Sequence, residues 1–269
     1  MISAPSHVPN ELYQPSDMDL VQVQDVVVEF DGFRALDVAY FGVDRGELRV
    51  VIGPNGAGKT TLCDVISGKT APVAGRVVFD DVDITRASDA DIARLGVGRK
   101  FQTPTVFNSL TVAENMELAL PGRRGALRNL FARTTGSQRD EIMTVLGRVH
   151  LAELAGAQAS SLSHGQRQWL EISMLIVAKP KLLLVDEPAA GLTDHETELT
   201  AQLLTELTGA HTLIVIEHDM EFVRRLASRV TVLCEGRVLA DGTLDQVQQD
   251  PRVVEAYLGR GRERTPERR

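Results

Sequence analysis

Cysteine is nearly absent: Cys63 and Cys234 are the only two in 269 residues. Two thiols cannot build a disulfide framework or a cysteine zinc site, and so sparse a supply suits a reducing compartment, with the cytosol as the default. Long apolar runs are missing as well. The longest stretches without a charged side chain, Phe101 to Ala113 and Leu154 to Gln166, are thirteen residues each, whereas a bilayer span needs roughly 20 mainly apolar residues. No membrane span is expected. No basic residue precedes Arg34, so the N-terminus lacks the positive region of a secretory signal or a twin-arginine motif. A surplus of positive charge is absent too. The net charge of −8 repels a phosphate backbone, and nucleic acid is not expected as a partner.

What is present looks globular: 43% hydrophobic and 25% charged residues, in a length that suits one large or two closely joined domains. Residues 1–19, with three prolines and no periodicity, read as a flexible tail, and the fold is expected to start near Leu20. The next part is rich in strand patterns. Leu20 to Phe30, Leu36 to Val43 and Leu48 to Ile52 read as strands, and Gly75 to Ile84, broken by Asp80-Asp81, reads as a hairpin. From Thr111 to Ala178 the composition turns to Ala, Leu, Glu, Arg and Gln without alternation, which predicts a helical subdomain, about 103–180. Within it, Pro121 to Gln138 carries four arginines and no acid, as a surface excursion would. After Lys181 the pattern becomes α/β. An apolar run at Leu182 to Val185, a helix with Leu199, Leu203, Leu204 and Leu207 on one face, and a strand from Thr212 suit a parallel sheet covered on both sides. Val230 to Cys234 and Val238 to Ala240 flank Glu235-Gly236-Arg237 as a closing hairpin, and 259–269 reads as a flexible basic tail.

Three motifs carry chemistry. Gly53-Pro54-Asn55-Gly56-Ala57-Gly58-Lys59-Thr60-Thr61 has the glycines, lysine and hydroxyl of a P-loop. Its glycines let backbone N–H groups converge on phosphate oxygens at a helix start, Lys59 bridges the outer phosphates, and Thr60 ligates Mg²⁺. Thr60 to Ser67 is the expected helix, with Gly68 ending it. The second motif is the apolar strand that runs into Asp186-Glu187-Pro188. Adjacent acids after a strand can cap a helix, but beside a P-loop they suit a Mg²⁺-holding Asp186 and a water-polarising Glu187. The third is Leu162-Ser163-His164-Gly165-Gln166, in which Ser163 and Gln166 stand in capping-box register and the helix start can also receive an anion.

Read in order, the P-loop, Gln102 in Lys100-Phe101-Gln102-Thr103-Pro104, the Leu162 to Gln166 signature, Asp186-Glu187 and His218 in Glu217-His218-Asp219 resemble the ATP-binding cassette (ABC) family of transporter ATPases over roughly residues 20–258. That resemblance implies an α/β fold: a P-loop NTPase core of mainly parallel sheet, an N-terminal antiparallel β subdomain and an inserted helical subdomain. It implies ATP and Mg²⁺, with Gln102 joining Thr60 and Asp186 at the metal, His218 contacting the γ-phosphate, and Phe30 stacking on adenine. Ser163, Gly165 and Gln166 would meet the ATP held by a second cassette. Its partners would be transmembrane permease subunits, a second and different ATPase subunit, and an extracytoplasmic solute-binding protein, which places the chain at the inner face of the cell membrane.

Two departures stand out. His164 replaces the first glycine of the usual Leu-Ser-Gly-Gly-Gln, and Thr193 stands where many members have Asp. Ala189 to Leu192 and the closing Val253 to Gly259 are similar to the branched-chain amino-acid and amide importer branch. Within it, Gly98 to Phe107, the signature with Trp169, and Thr193 to Glu198 resemble the urea-transporter ATPases, so urea is the expected solute and branched-chain amino acids the alternative. Other P-loop readings fit less well. A GTPase would need Asn-Lys-x-Asp and Asp-x-x-Gly, a DNA- or ribosome-directed ATPase a coiled coil or second cassette, and a regulatory module without turnover has no use for Glu187. An exporter or lipid-transport ATPase differs in its membrane partners.

Overall fold

The computed structural model describes residues 18–100, 106–121, 134–226 and 229–258. They fall into two compact units, one of residues 18–45, 49–89 and 229–258, the other of 46–48 and 90–226. Gln102, the arginines between 122 and 133 and both tails beyond residues 18 and 258 lie outside the described residues.

In the first unit, strands β1 (Asp19–Phe30), β2 (Phe33–Asp44), β4 (Ala74–Phe79) and β5 (Val82–Asp83) form an antiparallel sheet in the order β2-β1-β4-β5. Val21 and Val23, and then Val26 and Val28, are buried on β1; each pair keeps the two-residue alternation, and the irregularity at Asp25, φ +48°, adds the extra residue between them. The β1–β2 turn is Asp31-Gly32 and the β4–β5 turn is Asp80-Asp81, and all four residues have positive φ. Such two-residue turns match the right-handed strand twist, and aspartate tolerates the left-handed region better than most side chains. The fold begins one residue earlier than expected. Asp19, assigned to the tail, is buried in β1 and accepts a hydrogen bond from the Tyr40 hydroxyl.

The same unit holds β3 (Leu48–Ile52) from Arg49 onward, β9 (Arg229–Cys234) and β10 (Arg237–Thr243), with β3 parallel to β9 and β10 antiparallel to β9. Every residue of β3 is buried, as a strand covered on both faces requires. Helix α1 (Lys59–Ile66) follows β3, and Gly68, at φ +75°, turns the chain away beyond the Ser67 cap. Two short helices, α8 (Leu244–Gln249) and α9 (Pro251–Leu258), follow β10.

The second unit contains three parallel strands in the order β8 (Thr212–Ile216), β7 (Leu182–Asp186), β6 (Val97–Lys100). Both β7 and β8 are buried throughout. The unit also holds α2 (Asp89–Leu95), α3 (Val112–Ala119), α4 (Gly136–Arg148), α5 (His164–Val177), α6 (Asp194–Leu207) and α7 (Met220–Leu226), with α3 and α4 packed on α5. Among the described residues after Thr111, 112–119, 136–148 and 164–177 are α-helical. Thr111, Thr135, Ser163, Thr193 and, in the first unit, Thr243 each close a capping box with a Glu or Gln three residues on. Each box satisfies two backbone donors that the first turn leaves without intrahelical acceptors.

Candidate functional site

The buried strand β3 delivers the chain to the glycine-rich loop. At Gly53 φ is +154°, and a β-carbon there would lie 2.1 Å from the Leu233 carbonyl oxygen of β9, so no other residue fits without moving a strand. Gly58 has φ +98°, and a β-carbon would approach the Ala35 carbonyl of β2 to 2.8 Å. These two glycines bring bare backbone to the start of α1, where no side-chain cap is present. The contrast with the five capped helices is physical. A capping box would occupy the leading N–H groups, whereas an uncapped start leaves them facing an incoming anion, which the helix dipole also favours.

Lys59 Nζ folds back over the loop and donates to the carbonyls of Gly53 (2.7 Å) and Pro54 (3.1 Å). Its ammonium is thereby held at the loop beside the α1 start. Ala57 N–H donates to the Pro54 carbonyl, which closes a turn around Asn55 and Gly56. Both of those residues are exposed, as is Thr60, while Thr61 is half-buried. Loop and hydroxyl thus make a cradle with donors, a cation and a hydroxyl ligand, a set that fits a nucleotide's phosphates and Mg²⁺.

Phe30 ends β1 and pairs across the hairpin with Phe33. Phe30 is 48% exposed and Phe33 69%. Two exposed aromatics where one was expected is a finding that spacing alone could not supply, because only the hairpin register places them opposite each other.

In the second unit, β7 ends at Asp186, whose carboxylate is buried. Glu187 follows at φ +48°, a left-handed conformation costly for a side chain of this kind. The turn is over-determined. Glu187 N–H donates to the Ile216 carbonyl at 3.0 Å, and the Glu187 carbonyl accepts from Ala190 N–H at 3.2 Å. Gln168 of α5 adds a bond of 2.6 Å to the Pro188 carbonyl. The Glu187 side chain remains half-exposed, and its Oε1 lies 3.4 Å from His218 Nδ1. The tertiary structure therefore brings Glu187 and His218, 31 positions apart, into one cluster.

Ser163 caps α5, accepting from Gln166 N–H, and Gln166 Oε1 accepts from Ser163 N–H. The box satisfies two of the donors; Ser163 and His164 are exposed, whereas Gly165 is buried. A β-carbon on Gly165 would lie 2.2 Å from Glu196 Oε1, so this glycine makes room for the α6 capping carboxylate. The Thr193 N–H and hydroxyl bonds hold the Glu196 carboxyl below its ordinary range, outweighing a small burial effect, with His164 and His195 adding to the lowering. Both sequence departures have roles here. His164 Nε2 lies 3.3 Å from the Ala190 carbonyl, to which it donates in the tautomer that carries its proton there. Thr193 is the N-cap of α6, a position that Asp and Thr both fill well.

Similarity to known proteins is extensive. A family model described as ABC transporter matches residues 36–190, and one described as branched-chain amino acid ATP-binding cassette transporter matches 237–263. The chain is 36% identical over 249 residues to the high-affinity branched-chain amino acid transport ATP-binding protein LivG of Escherichia coli (strain K12), which covers 89% of this chain and 98% of that protein. A solved structure described as the ADP conformation of an ATP-binding cassette of an ABC transporter superposes with a TM-score of 0.78 at 30% identity, over 90% of this chain and 99% of that one. Another, the dimeric post-hydrolysis state of an ATP-binding cassette bound to ADP and Pi, gives a TM-score of 0.71 at 26% identity, over 83% and 98%.

Proposed function

This chain belongs to the ABC transporter ATPases, and from that membership we propose that it powers an importer of branched-chain amino acids. The observation that carries the solute is the LivG similarity along almost the whole of both chains, joined by the match at 237–263. LivG is named for branched-chain amino acids and not for urea, so the urea reading yields to its alternative.

The residue roles proposed are those that family membership implies for these positions. The amides of Gly53 to Thr61 and the Lys59 ammonium grip the phosphates of ATP, with Phe30 against the base. Thr60, Asp186 and Gln102 are the ligands that would hold Mg²⁺, and the ion, when bound, neutralises phosphate charge. Glu187 accepts a hydrogen bond from water and turns its lone pair towards the γ-phosphate, while His218 steadies the same group. Ser163, Gly165 and Gln166 present the α5 start to nucleotide on a second cassette, which we assign to a different chain.

Closure of the two cassettes is linked to the γ-phosphate, because only a ligand that binds one state better shifts the equilibrium. The permease subunits receive that motion, and an extracytoplasmic binding protein delivers solute. No helix among the described residues is long and apolar enough to cross a membrane, which agrees with attachment to the inner face through the permease.

The test has two arms. Purified wild type is compared with Glu187→Gln in ATP hydrolysis, where unchanged turnover in the variant would reject Glu187 as the water-orienting group. Gene disruption is then scored by uptake of labelled leucine and urea. Loss of leucine uptake is expected, and a loss confined to urea would reject the amino-acid assignment.

A further inference from the structure

Glu217 precedes His218 in the Glu217-His218-Asp219 motif, yet sequence reasoning assigns it nothing. Its side chain is 1% exposed, and carboxylates are rarely buried so fully unless something holds them. Glu217 Oε1 accepts from Ala189 N–H at 3.0 Å. Oε2 accepts from His218 N–H at 3.0 Å and, more weakly, from Asp219 N–H at 3.4 Å. The ladder between β7 and β8 ends at the pair Asp186 and Ile216. Beyond it Glu187 N–H still reaches the Ile216 carbonyl, and after that the backbones have no further rung. The Glu217 carboxylate takes over there, tying the loop that carries Glu187 to the turn that carries His218. Oε2 also lies 3.9 Å from His218 Nδ1, the atom that faces Glu187 Oε1 at 3.4 Å.

We propose that Glu217 is a positioning residue for ATP hydrolysis, its buried carboxylate setting the spacing of Glu187 and His218. The proposal rests on the hydrolytic roles of those two residues. Burial pushes the Glu217 carboxyl above its ordinary value of 4.5, against the three N–H bonds and His218, which pull it down.

Glu217→Gln tests it in the full-length chain. The substitution conserves shape but replaces one acceptor oxygen by an amide that only donates, so an N–H group meets an N–H group. Turnover of wild type, and its loss in Glu187→Gln, examine the parent reading separately. Given that turnover, Glu217→Gln should lower kcat about ten- to a hundredfold, as small displacements of reacting groups do, with the KM for ATP unchanged within about twofold. In single-turnover assays the Glu217→Gln, Glu187→Gln double variant should hydrolyse no more slowly than Glu187→Gln alone, because residues that act as a unit are not additive. A kcat within about threefold of wild type, additive losses in the double variant, or a loss matched by lost ATP retention would each overturn the proposal.

Discussion

Arg49 Nη1 donates to Asp241 Oδ2 at 2.8 Å, with the two side chains only 1% and 6% exposed. The same guanidinium bonds the Thr231 hydroxyl and lies over the Phe41 ring, while Arg229 takes the other carboxylate oxygen. A charge so deeply placed is tolerable because its partner is fixed by the strands that flank it. The pair welds β3, which delivers the P-loop, to β10.

Asp241→Ala should therefore destabilise the fold by about 3–5 kcal/mol, since it leaves the buried guanidinium without its carboxylate. Denaturant unfolding followed by circular dichroism measures this. The double replacement Arg49→Met, Asp241→Leu should recover most of the loss, and equal losses in single and double variants would show that the charge pair is not the cause.

Gly53→Ala should weaken MgATP retention at least about tenfold, because its β-carbon would stand 2.1 Å from the Leu233 carbonyl and the loop must shift to relieve it. Lys59→Ala should do the same through loss of the ammonium. Equilibrium dialysis with labelled ATP decides both, and undiminished retention in Lys59→Ala would remove the phosphate cradle from the scheme.

His164→Gly should cost about 1 kcal/mol in unfolding free energy by deleting the bond to the Ala190 carbonyl. His164→Gln, which keeps a donor of similar reach, should cost less than half as much. Identical destabilisation by the two changes would show that the bond contributes nothing.

Acid should unfold the protein in a defined window. Thr193 bonds hold the Glu196 carboxyl low, and Thr85 bonds, followed by Arg76, hold Asp83 low despite slight burial. A carboxyl lowered in the fold stabilises it above the unfolded value, 4.5 for Glu and 3.8 for Asp, and that stability drains away as pH falls through the folded value. Glu217 has the opposite sign: its raised carboxyl adds stability as pH falls through its folded value towards 4.5. The thermal midpoint should fall below about pH 4.5, less steeply in Glu196→Gln than in wild type. Parallel curves would exclude Glu196 as a contributor.

Residue spacing alone determined the P-loop, the strand running into Asp186-Glu187 and the Ser163–Gln166 cap, because each is a local pattern whose physics lies within a few residues. Strand β7 was equally plain from its apolar run Leu182 to Val185, and β8 from the stretch Thr212 to Glu217. Strand β6 was not, since Val97-Gly98-Arg99-Lys100 holds one apolar residue and becomes a strand by pairing with β7. Helix α2, seven residues long, is too short for a periodic signal. Only the tertiary structure decided that Glu217 spans two loops, that Arg49 meets Asp241, that Phe33 opposes Phe30 and that His164 reaches Ala190. Those relationships depend on contacts between residues remote in the chain or on strand register, and a linear pattern records which residues are available but not which are brought within bonding distance.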